Sequence, residues 1–288
     1  MTLTTAEALS PGEGSVVFTR VRERTVVESA RATSPLKLLT PSNHGHAAWM
    51  YVASFGGGLV DGDAISLDLR VRANASAMLA TQASTKVYRS RGDDSVPGSA
   101  QRLSAHVEKG ALLALLPDPV TCFAGARYRQ TIRVHLEDGA TLVLLDALTC
   151  GRRAYGEEWA FERYASRIEI TRGETARPAL IDSLLLDPAH GAIAQRMAGF
   201  DALATLVAIG PRATEVRAAL VAAHGRGVNV SKLTISPVIA ANALGGDAND
   251  SAIARIAGES VEDVTLAARE LLAALATELG DDPFARKW

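Results

Sequence analysis

The sequence predicts a mainly β protein whose helices gather toward the C-terminus, and three observations carry that prediction. Ile65, Leu67, Leu69 and Val71 alternate with Ser66, Asp68 and Arg70, which is the period of a strand with one wet face. A short unit recurs as RANASAMLATQ, VEKGALLALLPD and LEDGATLVLLDA, and more weakly as TRGETARPALID. Each is a polar turn with glycine or asparagine, a small residue, then an apolar run. Helical periodicity, in contrast, is scarce before Pro211. Many strands followed by two helices describe a sheet protein with its helices set to one side or end.

Taken in order, residues 1–13 are polar and carry Pro11 and Gly12, which predicts a flexible terminus ahead of one domain over 14–288. Val16-Val17-Phe18 and Thr25-Val26-Val27 are β-favouring runs. Pro35 and Pro41 bracket a short apolar piece, and Ala47 to Phe55 reads as a buried strand. Gly110, Gly139 and Gly173 of the recurring unit lie 29 and 34 positions apart, in the range of stacked supersecondary units. Stacked units and ordinary hairpins with similar turn chemistry both fit that spacing. Further strands are expected at Ala100 to Val107, Arg127 to His135 and Phe161 to Thr171. Pro211 to Ala223 places Val216, Leu220 and Ala223 at helical spacing. The strongest helix runs from Ser260, with Asp263 three positions on as a capping-box-like start, to Gly280 as its stop.

Composition narrows the function. Of 288 residues, 48% are hydrophobic and 22% charged, and the formal net charge is -2, so no bulk field draws the chain to nucleic acid. Cys122 and Cys150 are too few for a disulfide framework and form no CxxC pair. The N-terminus has no basic start or apolar core, and no apolar run approaches the roughly 20 residues that span a bilayer. A cytoplasmic location is the expectation.

Standard catalytic signatures are missing. The triple glycine Gly56, Gly57 and Gly58 lacks the Lys-Thr of a phosphate loop, and no GxSxG or HExxH occurs. Several side chains remain of interest. Asp61 and Asp63 flank Gly62. Asp146 ends the LVLLD run, where a charge needs a partner or a wet cavity. Glu157 and Glu158 lie close to Arg152 and Arg153, which also suits a structural ion-pair cluster. His44 and His46 form the closest histidine pair, and two ligands without a third make a weak metal site. Lys86 is by default a surface lysine.

Quoted together, PLKLLTP, AAWMYVASFGGGLVDGD, ATQASTKVYRS, LPDPVTCFAGARYRQ, LVLLDALTCGRRAYGEEWAFERY and LIDSLLLDP resemble the urease accessory protein family called UreD or UreH. They run in family order from about Pro35 to Pro188. The tail, Pro283 to Trp288, departs from the Pro-Arg-Ile-Trp-like ending of many members.

The resemblance implies a fold of mainly β class, an elongated stack of strand repeats with helices near the C-terminus. It implies a protein that is not an enzyme but a scaffold and nickel chaperone. Such proteins bind apo-urease and the accessory protein UreF, which recruits the GTPase UreG, and a water-filled passage conducts nickel. No tightly bound cofactor is expected, only Ni²⁺ in transit. On this reading Asp61, Asp63, Asp146 and Glu157 line or guard the passage. Gly56, Gly57 and Gly58 let the backbone pack beside it, and Thr85 and Lys86 shape the same region. Leu271 and Leu275 on the last helix are expected in a stripe that could contact UreF. Two other readings are a metal-dependent hydrolase using Asp61 and Asp63 with His44 or His46, and a purely structural urease-binding protein.

Overall fold

The computed structural model describes residues 10–91, 98–223, 228–229, 232–238 and 250–285. Most of the terminus expected to be flexible, residues 1–9, and the tail residues 286–288 lie outside the described residues.

Strands β1 (Glu13–Val21) and β2 (Arg24–Ala32) make a hairpin, followed by β3 (Leu36–Leu39) and β4 (Ala48–Ser54). Then come β5 (Ala64–Val71), β6 (Ser76–Thr81), β7 (Lys86–Val87), β8 (Ser99–Val107) and β9 (Leu112–Leu116). Next are β10 (Val120–Cys122), β11 (Arg127–Leu136), β12 (Thr141–Thr149), β13 (Arg163–Arg172) and β14 (Arg177–Leu186). After a single helical turn, α1 (Ile193–Arg196), the chain forms β15 (Ala202–Ile209), α2 (Thr214–Ala222), β16 (Val228–Asn229), β17 (Lys232–Val238) and β18 (Ser251–Gly258). It closes with α3 (Val261–Leu271) and α4 (Leu275–Leu279). The fold is mostly β, with mixed sheets, and its last helices are near the C-terminus.

The recurring unit resolves into both of its readings. In the first three copies the turn carries the chain from one sheet to the other: β5 to β6, β8 to β9, β11 to β12. Successive copies stack in parallel, β5 on β8 on β11 in the first sheet and β6 on β9 on β12 in the second. The fourth copy, at Gly173, is an antiparallel hairpin between β13 and β14 inside one sheet. Asn74, Gly110 and Gly139 occupy equivalent turn positions with positive φ of 58°, 71° and 79°, which explains why asparagine and glycine recur there. The small residue that follows, Ala75, Ala111 or Ala140, is fully buried. Carboxylates tie one turn to the next: Glu108 accepts from Ala73 N at 2.9 Å, and Glu137 from Lys109 N at 2.9 Å.

The first sheet is ordered β14-β13-β11-β8-β5-β1-β2, and the second runs from β16 through β17, β18, β15, β12, β9, β6 and β4 to β3. Their facing sides share one apolar core that includes Phe18, Leu67, Leu113, Leu144 and Ile170. A second core, including Trp49, Met78, Leu112, Leu206 and Leu220, lies between the outer side of the second sheet and helices α2, α3 and α4. The alternation predicted in β5 is realised, with Ile65, Leu67, Leu69 and Val71 buried. Each buried Leu or Ile of this kind contributes roughly 1.5–3 kcal/mol.

The last helix starts and stops where predicted. Ser260 Oγ accepts from Asp263 N at 3.0 Å, and Gly280 ends it at φ 76°. It breaks between Leu271 and Leu275, which seats both Leu272 and Leu275 in the core. No proline or glycine announces that break. Among the described residues no helix is long and apolar enough to cross a membrane.

Candidate functional site

Two loops far apart in sequence are brought together by the stacking. The loop after β4 carries Phe55 to Asp63, and the loop after β6 carries Gln82 to Thr85. Leu59 bridges to Val87, with Leu59 N donating to Lys86 O at 2.8 Å and Tyr88 N to Leu59 O at 2.9 Å. Gly58 makes this approach possible: a Cβ there would sit 2.6 Å from the Tyr88 ring and 2.7 Å from Lys86 O. Gly56 and Gly57 have a different reason to be glycine. Their φ values are 84° and 74°, and the space beside them is open.

Behind these loops lie two adjoining cavities of about 80 and about 110 Å³. The outer one is bordered by Gly57, Gln82, Ser84 and Thr85, and the inner one by Asp118, Gln130 and Asp146. Thr81, Thr85 and Gln101 border both. The rest of the lining is largely apolar, with Ile65, Leu67, Leu79 and Leu115 in the inner cavity, so these polar groups are set singly into apolar walls between the two loops and the middle of the sandwich.

Asp146 stands at the inner end. In β12 the even positions Leu142, Leu144 and Leu148 face the first sheet and the odd ones face the helices. The strand period therefore turns Asp146 into the space between sheets. Gln130 Nε2 donates to its Oδ1 at 2.7 Å and Ser166 Oγ to its Oδ2 at 3.0 Å, both from the first sheet. Tyr128 extends the network, its hydroxyl donating to Gln101 and, at 3.3 Å, to Gln130 Oε1. Burial pushes the Asp146 carboxyl up, partly opposed by the Gln130 and Ser166 bonds, and the nearby Asp182 adds to the upward push. The same burial holds the Tyr128 and Tyr164 hydroxyls well above their usual range.

Sequence reasoning did not single out Asp118, Gln130, Gln101 or Ser166. For Asp118 a signal existed: it follows LALLP much as Asp146 follows LVLL. Thr81 Oγ1 donates to Asp118 Oδ2 at 3.2 Å and accepts from Asp118 N at 2.8 Å. The two glutamines and Ser166 were legible only as alternate residues of strands.

The other expected side chains lie apart from Asp146. Asp63 accepts from Val60 N at 2.9 Å, a local cap on its turn, and Asp61 accepts from Arg91 N at 3.0 Å. Lys86 is exposed, while Thr85 borders both cavities. Glu157 sits in the anticipated ion-pair cluster. Arg152 Nε donates to it at 2.9 Å and Ala124 N at 3.1 Å, and the Arg152 bond holds its carboxyl below the usual range. The Arg152 guanidinium also lies over the rings of Phe123 and Tyr155, 4.0 and 5.0 Å from their centroids.

His44 and His46 pack toward the C-terminal end. His44 N donates to Asp281 at 2.9 Å, and the His46 ring meets Glu278 O at 3.1 Å. Cys122 and Cys150 are buried free thiols. Burial pushes Cys122 up and Cys150 to about 12, so neither is poised as a thiolate ligand. Among the described residues no group of three His, Cys, Asp or Glu side chains is set to hold a metal ion. Leu275, expected on a partner-facing stripe, is fully buried against the protein's own second sheet, and Leu271 is half-buried beside it. Burial of apolar area within the fold has claimed that stripe.

A family model described as UreD urease accessory protein matches residues 10–288. The chain is similar to "Urease accessory protein UreD" of Sorangium cellulosum, 56% identical over 96% of this chain and 84% of that one. It is 43% identical to "Urease accessory protein UreD" of Anaeromyxobacter sp., over 96% and 90% of the two chains. To "Urease accessory protein D" of Arabidopsis thaliana it is 34% identical, over 94% and 99%.

Proposed function

The chain belongs to the UreD family of urease accessory proteins and so has a role in urease maturation; on that premise we propose that it is a scaffold and nickel chaperone without catalytic activity of its own. In this reading it binds apo-urease and UreF, with UreG joined through UreF, and Ni²⁺ passes through it as cargo. The supporting observation is the placement of Asp146 at the inner end of two adjoining, largely apolar cavities into which a few oxygen-bearing side chains project, the outer one bordered by the two loops that carry the family's motifs.

The few polar groups in the lining suit transfer. Carboxylate, amide and hydroxyl oxygens are weak ligands for a borderline ion, and a scattered set of them admits an ion without trapping it. Asp146 and Asp118 supply the charge, and Gln130, Gln101, Thr81 and Thr85 supply neutral oxygens. Asp61 and Asp63 hold the shape of the loop at the entrance, and Glu157 keeps its neighbouring loop in place through Arg152. Lys86, being cationic and exposed, stays outside the path. Since Leu275 is internal, contact with UreF falls to other surface residues.

The test is co-expression with the urease subunits and remaining accessory proteins, comparing the native chain with D146N and D118N. Nickel content of urease and complex assembly are measured separately. The expected result is intact assembly with nickel loading reduced about tenfold, the low end of the loss that follows removal of groups orienting metal ligands. Full loading in both variants would leave a scaffold without a passage, and urease activity that does not depend on the chain would overturn the maturation role itself.

A further inference from the structure

Three of the four sheet faces are covered: the two inner faces by the shared core, and the outer face of the second sheet by the helices. Among the described residues, nothing covers the outer face of the first sheet. Because β5, β8, β11 and β13 are parallel and in register, its side chains fall into rows. One row reads Ala64, Ala100, Arg129, Ala165 and, on β14, Leu185. The next reads Ser66, Arg102, Thr131, Arg167 and Ser183.

Most cations on this face are already matched. Glu169 takes both Arg133 at 2.7 Å and Arg167 at 2.5 Å, and Glu108 takes Arg70 at 2.7 Å. Arg102 and Arg129 are exposed, and among the described residues neither side chain makes a hydrogen bond or ion pair. They are diagonal neighbours on adjacent strands, about 8 Å apart at their Cα atoms by ordinary sheet spacing. The small floor of Ala100 and Ala165 leaves Arg129 standing clear. At the margin, Leu185 and Ile181 are 42% and 56% exposed.

We propose that this face docks a protein partner through an extended acidic segment, whose carboxylates pair with Arg102 and Arg129 and whose apolar side chain covers Leu185. Charge complementarity selects that occupant. Two guanidiniums without a carboxylate partner among the described residues call for carboxylates, and alternate residues of an extended chain are about 6.7 Å apart, close to the roughly 8 Å between the two arginines. An arginine pair beside exposed aliphatic side chains has the composition of an interface centre. Nucleic acid is disfavoured, because Asp68 and Glu169 share the face and the chain as a whole is at -2.

The inference rests on the maturation reading only for the identity of the partner, so its test has two arms. In the first, the purified full chain is titrated with a fluorescent peptide repeating Glu-Ser-Glu-Ser-Leu-Ser, and with a control in which Lys replaces Glu. Binding of the acidic peptide alone is expected, weakened at least about tenfold by R102E/R129E and by high salt, and retained by R102K/R129K. No binding, or equal binding by R102E/R129E, overturns the inference. In the second, tagged native and R102E/R129E chains are recovered from cells co-expressing the urease proteins. Loss of one partner from the variant supports the inference, and full retention of every partner overturns it. If the native chain recovers none, the maturation reading fails and the peptide arm decides the docking face.

Discussion

Gln130 and Asp146 meet across the interior of the sandwich, the amide of one sheet donating to the carboxylate of the other at 2.7 Å. A carboxylate between two apolar sheets is tolerable only when its oxygens are engaged, and Gln130 with Ser166 engages both. Replacing Gln130 by leucine leaves Asp146 with Ser166 alone. The expected cost is about 1–3 kcal/mol, read as a lower urea midpoint at unchanged slope.

Asp146 also sets a pH dependence whose sign follows from its raised carboxyl. The folded state holds that proton more tightly than the unfolded chain. Stability from this group therefore declines as pH rises from the ordinary carboxylate range through the raised folded value, and the cost is constant above it. D146N removes the term while keeping the shape. Its stability at neutral pH should match or exceed the native chain's, and the gap should close as the pH is lowered through that window in thermal melts. Glu157 acts in the opposite sense, since Arg152 lowers its folded value: its contribution is present above the ordinary carboxylate range and is lost as pH falls through the depressed one.

The three glycines should respond differently to alanine. At Gly56 and Gly57 the cost is backbone strain at positive φ, about 1–2 kcal/mol each, with no clash because the space is open. At Gly58 the backbone is extended, φ 170°, and the cost is the collision with Lys86 O and the Tyr88 ring. G58A should therefore alter proteolytic exposure of the Lys86–Val87 strand, whereas G56A should lower only the melting temperature.

The stacked turns offer a cleaner case. A Cβ on Gly110 would lie 2.3 Å from Asn74 Oδ1, at φ 71°. G110A thus combines strain with loss of the turn-to-turn contact, and should cost more than the 1–2 kcal/mol or so of strain alone. G139A, whose nearest neighbour is Lys109 Cγ at 4.0 Å, should cost only the strain. Denaturant titration of the two variants makes the comparison.

Leu275 is a core residue. L275A should lower stability by about 2–5 kcal/mol, and any loss of partner binding should track the unfolded fraction. An exposed neighbour such as Leu266, at 56% exposure, is the control: L266A should leave stability nearly unchanged.

How much of this was legible in the sequence depends on how local its cause is. The face of β5, the cap at Ser260 and the stop at Gly280 follow from side-chain period and backbone sterics within a few residues, and all three were readable. The buried charge at Asp146 was readable as a problem, because a carboxylate at the end of LVLLD needs a partner wherever it goes. Which partner it finds was not, since Gln130 and Ser166 are ordinary alternate residues of strands that only the stacking sets opposite it. Leu275 is the reverse case. Its apolar stripe suits a partner's groove and the protein's own sheet equally well in sequence, and the fold uses it first.

The triple glycine and the TQASTK run identify the family by residue order alone, and the sequence by itself determined most strands before Arg172, the wet and dry faces of β5, and the glycine or asparagine of the recurring turns, but not β15, β17 and β18, which lie among the helices it expected to follow the strands. Tertiary structure decided that three of the recurring turns cross between sheets while the fourth closes a hairpin, that Gly58 and Lys86 touch, and that Asp146 rather than Asp61 or Asp63 borders the inner cavity. The reason is physical. Period and sterics act between near neighbours in the chain, whereas the partner of a buried polar group is chosen by strands tens of residues away, which meet only when stacking removes their apolar faces from water.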